Sequence, residues 1–243
     1  MKYQLAIDRG NSLTKLSVFD GNAIVKVESL EDSLLASGIT AICSSFDVGL
    51  SIFSDVRDRY SNDAILNMLP AGCMLVSMEL QFPFTTNYST PETIGHDRLA
   101  NLSGARSIRP HGNILVVDFG TCITYSLLLD EAFCGGSISP GRQMRLRCLH
   151  DYTGSLPLVK TSDTPPTLVG NSTTGSILSG VEYAVLLETD AMIAAYHKKF
   201  NDLEVIITGG DYSFFENNLK SAIFAAPQLT QIGLHEILRR NKH

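Results

Sequence analysis

The sequence predicts a mixed α/β protein made of two similar lobes that face a cleft. Three observations support this prediction: a repeated hairpin pattern, helical periodicity after each copy of it, and the composition of an ordinary globular protein. The chain has 243 residues, of which 44% are hydrophobic and 18% are charged. This composition is typical of a folded globular protein, and the length suffices for one large domain or two small ones.

The hairpin pattern occurs twice in the chain. Residues 5–20, LAIDRGNSLTKLSVFD, align without a gap with residues 115–130, LVVDFGTCITYSLLLD, and five of the sixteen positions are identical. In each copy a short apolar run ends in Asp, passes through a turn with Gly and continues into a second apolar run, which is typical of a β-hairpin. The duplication predicts one lobe over residues 1–112 and a second over residues 113–243.

Helical patterns and one further strand follow the hairpins. Apolar residues recur at helical spacing over residues 99–108, 177–192 and 234–238, which predicts helices there. Residues 205–208, VIIT, precede two glycines and predict a buried strand that runs into a tight turn. Residues 161–167 contain two prolines and predict an exposed loop.

Charge and cysteine content narrow the class of protein. The net charge of −6 argues against nucleic acid as the main partner, because phosphate backbones attract basic surfaces. No apolar run is long enough to predict a membrane span, and Asp8 interrupts what would have to be the apolar stretch of a signal peptide. The five cysteines are scattered without CxxC spacing, which indicates reduced thiols rather than disulfides or a zinc site. We therefore expect a cytoplasmic protein.

The repeated turns suggest phosphate chemistry. A strand that ends in Asp and turns at Gly places a carboxylate beside exposed backbone N–H groups, and the absent Cβ lets phosphate oxygens approach the main chain. Two such turns could hold the β- and γ-phosphates of ATP while their carboxylates hold cations, and phosphoryl transfer requires mainly this positioning and charge neutralisation. Either turn alone is better explained by hairpin geometry. The matched pair favours phosphate binding.

Two familiar phosphate-binding classes are excluded. The sequence has no GxxxxGK[ST] P-loop. Residues 118–120 spell DFG, but the other motifs of protein kinases are missing and the string belongs to the internal repeat.

Six segments, in order from residue 8 to about residue 210, resemble the motifs of type III pantothenate kinases. They are DRGNS at 8–12 (family D-x-G-N-T), GHDR at 95–98 (G-A-D-R), DFGT at 118–121 (D-F-G-T), GGSISPG at 135–141 (G-G-x-I-x-P-G), GNST at 170–173 (G-x-N-T) and TGG at 208–210, which is similar to a late turn near adenosine. This family belongs to the actin-like ATPase superfamily. The resemblance therefore implies a duplicated RNase H-like (actin-like ATPase) fold.

The resemblance also implies a reaction and a role for each matched residue. The reaction would be ATP-dependent phosphorylation of pantothenate to 4′-phosphopantothenate, the first step of coenzyme A biosynthesis. Asp97 would be the general base, and Asp118 would bind the K⁺ or NH₄⁺ ion that the family requires, with Mg²⁺ accompanying ATP. The ATP-binding residues would be Asp8, Arg9, Gly10, Asn11, Ser12, Leu13, Thr14, Lys15 and Thr121. The pantothenate-binding residues would be Tyr88, Gly95, His96, Asp97, Arg98 and Thr173. Members of the family are homodimers with the substrate site near the subunit interface.

General chemistry agrees with these roles and leaves alternatives at single residues. A carboxylate can accept the proton of a hydroxyl nucleophile, and an arginine suits the carboxylate of pantothenate. Without the family context, Asp97 and Arg98 are equally well explained as a helix-start acid and a surface arginine. Arg9 replaces an apolar family residue and is either a surface group or an extra phosphate contact. His96 replaces a small residue and is interpreted as facing solvent, and Tyr88 could be a packing aromatic.

Other functions remain open at the level of the whole chain. The runner-up is a non-catalytic relative that acts as a transcriptional accessory or nucleotide-binding protein. A different kinase or phosphatase of the superfamily and an actin-like filament protein are further possibilities. The intact Asp97-Arg98 pair, together with both Asp-containing turns, favours the enzyme.

Overall fold

The computed structural model describes residues 2–57, 63–69 and 73–242, which form two compact units. The first unit comprises Met1–Pro110 and Gln228–His243, and the second unit comprises His111–Pro227. This division differs from the predicted lobes at the C-terminus, because the last sixteen residues belong with the first unit and not with the second.

The helices and strands follow one another in this order. They are β1 (Tyr3–Arg9), β2 (Thr14–Asp20), β3 (Ala23–Leu30), α1 (Leu35–Ser45), β4 (Val48–Asp55), α2 (Asp63–Leu66), β5 (Cys73–Leu75), β6 (Thr85–Thr86), α3 (His96–Ile108), β7 (Asn113–Phe119), β8 (Cys122–Leu129), β9 (Ala132–Pro140), α4 (Arg142–Asp151), α5 (Thr173–Leu178), α6 (Ala184–Lys199), β10 (Leu203–Thr208), α7 (Tyr212–Asn218), β11 (Phe224–Ala225) and α8 (Leu229–Asn241). A π-helical turn, Ser179–Tyr183, joins α5 to α6.

The first unit is built on a sheet with the strand order β3-β2-β1-β4-β5. Strand β1 pairs antiparallel with β2 and parallel with β4. The apolar runs around the first turn supply the inner side chains of this sheet, and α1 packs against them. The buried residues of this core include Leu5, Ile7, Leu16, Val18, Leu35, Ile39 and Ile42.

The C-terminal helix α8 joins the first unit through close packing on α3 and β1. The two helices cross at Gly104 and Gly233, where an added Cβ on either glycine would overlap the backbone of the other helix. The imidazole of His235 stacks on the ring of Phe19 with centroids 4.0 Å apart, and its Nε2 lies 2.7 Å from Gln4 Oε1. These long-range contacts explain why the residues after 227 belong to the first unit rather than to the second.

The second unit has a sheet in which its own strands are ordered β11-β10-β7-β8-β9. Strands β7, β8 and β9 form an antiparallel meander, and β10 runs parallel to β7. The buried core between this sheet and its helices includes Leu115, Val117, Phe119, Ile123, Tyr125, Val185, Ile193 and Phe215.

Both predicted hairpins are confirmed, but their turns differ in length. In β1–β2, Arg9 pairs with Thr14 and residues 10–13 form the turn. In β7–β8, Phe119 pairs with Ile123 and residues 120–122 form the turn. The ungapped alignment of the two copies is therefore one residue out of register after the turn, and Thr14 corresponds to Ile123 rather than to Thr124.

The other local predictions are also confirmed. The helical patterns over residues 99–108, 177–192 and 234–238 lie in α3, in α5 through α6, and in α8. Residues 205–208 lie in β10, and 161–167 form neither helix nor strand. Within residues 2–57, 63–69 and 73–242, no helix has the length and apolar character that crossing a bilayer requires.

Candidate active site

The first glycine turn closes the β1–β2 hairpin. The backbone N–H of Gly10 donates to the carbonyl oxygen of Leu13 over 3.0 Å. Asn11, Ser12 and Leu13 are exposed at the tip, whereas Asp8 is half-buried at the end of β1, opposite Lys15 on β2. The turn therefore presents exposed backbone and small polar groups in front of a carboxylate, and Thr14 is buried behind them.

Arg9 lies in this turn, but its guanidinium faces two carboxylates. Its Nη2 and Nε donate to the two oxygens of Asp32 over 2.6 and 3.0 Å, and its Nη1 donates to Asp55 over 3.2 Å. Arg57 donates to Asp32 as well, over 2.7 Å. Hydrogen bonding with Arg9, reinforced by Arg57, holds the pKa of Asp32 well below its usual range. The side chain of Arg9 is thus part of an ion cluster that ties the turn to β4 and to the segment before α1.

The segment that matches G-x-D-R forms the start of α3. Gly95 precedes the helix, and Asp97 lies in its first turn, where Oδ1 accepts a hydrogen bond of 2.8 Å from the backbone N–H of Arg98. A Cβ on Gly95 would lie only 2.5 Å from Asp97 Oδ1, so glycine is required to leave this carboxylate in place. The helix start therefore sets the position of the acid.

Arg98 and Tyr88 lie together beside this acid. Arg98 is only 4% exposed, and its guanidinium carbon lies 5.8 Å from the centroid of the Tyr88 ring, at the distance of a cation–π contact. Tyr88 therefore has a specific neighbour in the predicted substrate segment. His96, interpreted from sequence as solvent-facing, is half-buried, and its Nδ1 is shielded from solvent.

The second glycine turn is surrounded by other glycines. Gly120 donates its N–H to the carbonyl oxygen of Cys122 over 3.0 Å. Gly141 donates its N–H to the Thr121 carbonyl oxygen over 3.0 Å, and a Cβ on Gly141 would lie 2.7 Å from that oxygen. Gly209 has a φ of +101°, and a Cβ there would overlap the Asp118 carboxylate. The three segments 118–121, 135–141 and 208–210, which the motifs singled out, are therefore in contact within the second unit.

The carboxylate of Asp118 suits a monovalent cation. It is half-buried at the end of β7, and Gly120 and Gly209 leave space around its Oδ1. K⁺ is bound in proteins by oxygen atoms, and the Asp118 carboxylate offers two of them. Across the part of the chain that the structure describes, no group of three or more His, Cys, Asp or Glu side chains is arranged to hold a metal ion.

Thr121 and Thr173 are both exposed, in different parts of the second unit. Thr121 is at the tip of the β7–β8 turn. Thr173 is the first residue of α5, which Ser172 caps by accepting a 3.1 Å hydrogen bond from the N–H of Gly175. Thr173 also lines a mainly apolar cavity of about 1000 Å³ between α4 and the segment α5 to the π-helical turn.

Sequence reasoning missed three charged residues beside the second turn. Arg142 forms a 2.7 Å ion pair with Glu182, and its Nη1 lies 3.5 Å from Asp211 Oδ1. Burial raises the pKa of Glu182 and of Asp211, and the charge of Arg142 acts in the opposite direction on both. The available signals were that Arg142 follows the P-G of one motif, that Asp211 follows the T-G-G of another, and that Glu182 interrupts an apolar stretch.

Comparison with known sequences gives one family-model match over most of the chain and relatives that match nearly all of it. The family model described as type III pantothenate kinase matches residues 4–195. Two relatives named type III pantothenate kinase are those of Christiangramia forsetii, 38% identical over 242 residues, and Bacteroides fragilis, 39% identical over 241 residues. In both cases the match covers 98% of this chain and 98% of the relative.

Comparison with solved structures supports the fold. A conserved putative Baf family transcriptional activator from Campylobacter jejuni has a TM-score of 0.65 at 20% identity, with 98% of each chain covered. A ROK family glucokinase from Streptomyces griseus, in complex with glucose and AMPPNP, has a TM-score of 0.56 at 10% identity and covers 98% of this chain and 100% of its own. These similarities confirm the predicted duplicated actin-like ATPase fold.

Proposed function

The chain belongs to the type III pantothenate kinase family, as its six motifs predicted, and we propose that it transfers the γ-phosphoryl group of ATP to the primary hydroxyl of pantothenate with Asp97 as the general base. The products are ADP and 4′-phosphopantothenate, the first intermediate on the route to coenzyme A. The observation that carries the proposal is the acid at the start of α3, in a chain that matches a type III pantothenate kinase over 98% of its length.

Asp97 is suited to the role of base by its position. The backbone of Arg98 holds Oδ1 through a 2.8 Å hydrogen bond, so the orientation of the carboxylate is fixed by the helix itself. A carboxylate within hydrogen-bond reach of the substrate hydroxyl accepts its proton as the new P–O bond forms. Gly95 supports this role, because a larger residue would displace the acid.

Arg98 and Tyr88 suit the recognition of pantothenate. Pantothenate is an anion, and a guanidinium pairs with a carboxylate more strongly and with more defined geometry than a neutral donor does. The Tyr88 ring lies 5.8 Å from the guanidinium carbon, within the range of a cation–π contact. Gly95, His96 and Thr173 complete the proposed set of pantothenate contacts.

The two glycine turns are the proposed phosphate contacts. Residues 8–15 of the first turn and Thr121 of the second would bind the phosphates of ATP, with Arg9 contributing through its main chain because its side chain is held by Asp32 and Asp55. Asp118 would hold K⁺ or NH₄⁺, and Mg²⁺ would arrive with ATP. These cations supply charge neutralisation for the phosphates.

We further propose a cytoplasmic homodimer. The second unit exposes large apolar side chains, including Tyr152 (86% exposed), Leu168 (64%) and Val169 (78%), and exposed apolar groups of this kind are common at protein interfaces. All five cysteines are free thiols, which suits a reducing compartment.

The non-catalytic alternative is not favoured. The structural similarity to a putative Baf family transcriptional activator, at 20% identity, supports the fold alone. Asp8, Asp97 and Asp118 are all present, and Gly95 and Gly209 leave space for the carboxylates of Asp97 and Asp118.

Replacing Asp97 by asparagine tests the proposal. The amide keeps the size and one carbonyl acceptor for the Arg98 N–H but cannot take a proton, so we expect kcat to fall about 10²- to 10⁴-fold. The KM for ATP and the melting temperature should stay close to those of the wild type. The measurement is pantothenate-dependent ADP release with K⁺ present, repeated with Na⁺ in its place.

Glu92→Gln is the matched control for this experiment, because Glu92 is an exposed acid shortly before α3. It should leave turnover unchanged. Near-normal turnover by Asp97→Asn would show that Asp97 is not the base. Equal activity in Na⁺ and K⁺ would contradict the proposed K⁺ or NH₄⁺ site at Asp118.

A further inference from the structure

A buried ion pair lies in the second unit. Arg142 and Glu182 are 4% and 0% exposed in their side chains, and Arg142 Nη2 donates to Glu182 Oε1 over 2.7 Å. Their positions in the sequence differ by forty, so the pair connects the start of α4 with the π-helical turn between α5 and α6. Neither residue belongs to the sites proposed above.

Further groups fix the orientation of Arg142. Its Nη2 also donates to the carbonyl oxygen of Ser162, whose N–H donates in turn to Glu182 over 3.1 Å. The guanidinium carbon lies 3.6 Å from the centroid of the Phe214 ring, so the planar group stacks on an aromatic face. A guanidinium held on several sides cannot move away from the groups that it faces.

One of the groups that it faces is Asp211. Arg142 Nη1 lies 3.5 Å from Asp211 Oδ1. Asp211 follows the 208–210 turn, and its backbone N–H donates to the carbonyl oxygen of Phe119 over 3.0 Å, which ties it to the strand end that carries Asp118. Gly209 packs directly against Asp118. Arg142 is therefore linked, through Asp211, to the 208–210 turn and to the 118–121 turn.

Stability alone does not account for this arrangement. Removing two charges from water is costly, and well-packed apolar residues of similar volume often stabilise a protein as much as or more than a buried ion pair does. The π-helical turn that carries Glu182 is itself a rare conformation, which occurs frequently at functional sites. A role in positioning the neighbouring turns would explain why Arg142, Glu182 and Asp211 form a charged network here.

We propose that Arg142 is a positioning residue for ATP: braced by Glu182, Ser162 and Phe214, it holds Asp211 and thereby sets the 208–210 turn against the Asp118 turn. The inference rests on the proposed function, since it assumes that these turns contact ATP. Arg142 itself does not contact the reacting atoms. It acts through the geometry of the turns, so its loss should weaken ATP binding more than the chemical step.

Two variants separate positioning from stability. In Arg142→Met/Glu182→Met, an apolar pair replaces the ion pair, and of the facing charges only that of the partly exposed Asp211 loses its partner, so the melting temperature should remain near that of the wild type. In Asp211→Asn, the ion pair stays intact and only the carboxylate facing Arg142 is neutralised. For both we expect the Kd for ATP, measured by calorimetry on the full chain, and the KM for ATP to rise about tenfold. The KM for pantothenate should not change.

Arg145→Met/Glu188→Met provides the matched control. This second pair joins α4 to α6 with bonds of 2.7 and 2.8 Å, and Glu188 is more exposed than Glu182. Its removal should leave the Kd for ATP unchanged. Wild-type ATP affinity in either Arg142→Met/Glu182→Met or Asp211→Asn would overturn the inference. Failure of the proposed function would be recognised separately, because the wild-type protein itself would then release no ADP on addition of pantothenate.

Discussion

The first hairpin, β1–β2, and the second, β7–β8, share their Asp and Gly but differ at the residue between them. In the first hairpin this residue is Arg9, whose guanidinium pairs with Asp32 and Asp55. In the second it is Phe119, which is fully buried and stacks on Phe215 with centroids 3.6 Å apart. The common pattern therefore determines the turn, and the intervening residue determines whether charge or apolar contact anchors it.

The surroundings of the two turns differ as well. The second turn is packed against the backbones of Gly141 and Gly209, where no side chain fits. At Gly10 in the first turn, an added Cβ would meet only the Leu13 carbonyl oxygen, at 3.1 Å, and at Gly120 it would meet atoms at 3.6 and 3.7 Å, which is ordinary contact. Among the glycines at the two turns, those that face the second turn are thus more necessary for the fold than those inside the turns.

The largest expected effect follows from this difference in packing. Gly209→Ala introduces a Cβ into the Asp118 carboxylate at a φ of +101°, so we expect a loss of at least about 3 kcal/mol in the free energy of unfolding. Gly10→Ala and Gly120→Ala should have the smaller effect, about 1 kcal/mol, because neither backbone has a positive φ; the new Cβ meets one backbone oxygen tightly at Gly10, at 3.1 Å, and only ordinary contacts at Gly120. Urea denaturation followed by circular dichroism measures all three.

The turn variants also test what the glycines inside the turns are for. Because Gly10→Ala and Gly120→Ala should fold, a rise in their KM for ATP would indicate that the missing Cβ makes room for phosphate. Equal stability of Gly209→Ala and Gly10→Ala would contradict the difference in packing described above.

The sequence predicted both hairpins because the Asp-Gly pattern and the apolar runs are local signals. It did not predict that the second turn is one residue shorter, since an ungapped alignment with few identities does not determine how many residues a turn uses. Thr14 and Thr124 were therefore matched incorrectly. Turn length depends on which backbone groups pair across the strands, and this pairing is visible only in the structure.

Long-range contacts explain what else could not be predicted. The pattern around Leu234 predicted a helix but not that it packs on α3 at Gly104 and Gly233, since helical periodicity does not identify a partner. Arg142 and Glu182 were missed for a similar reason: each looks like an ordinary charged residue until the fold brings the two together. By contrast, Gly95 through Arg98 is contiguous in sequence, so its arrangement at the start of α3 could be anticipated.

The second expected effect is on the pH dependence of stability, because Phe19 in β2 of the first hairpin stacks on a titratable residue, His235. His235 stacks on Phe19 and its pKa is lowered to about 4, chiefly by burial and also by Arg239 and Lys242. Below about pH 6.5, His235 binds a proton in the unfolded chain but stays neutral in the folded chain until the pH reaches about 4. The free energy of unfolding therefore falls as the pH decreases from about 6.5 to about 4. Between pH 7.5 and pH 5 we expect a loss of about 2 kcal/mol in the free energy of unfolding.

The variant His235→Phe identifies the source of this loss. It keeps an aromatic ring on Phe19 and removes the titration, at the expense of the hydrogen bond to Gln4. The variant should be less stable than the wild type at pH 7.5 but should lose much less stability on acidification. Parallel pH profiles for the two proteins would show that His235 is not responsible.

The smallest expected effect tests the two anchors directly. Arg9→Met removes the ion pairs with Asp32 and Asp55, and since Asp32 is partly exposed we expect a loss of about 1 kcal/mol at low ionic strength. Phe119→Leu removes part of a buried aromatic contact, with a loss of about 1 kcal/mol. In 0.5 M NaCl the Arg9→Met loss should shrink, because exposed charges are screened over distances of a few ångströms, whereas the Phe119→Leu loss should not. If both losses respond to salt in the same way, charge does not anchor the first turn.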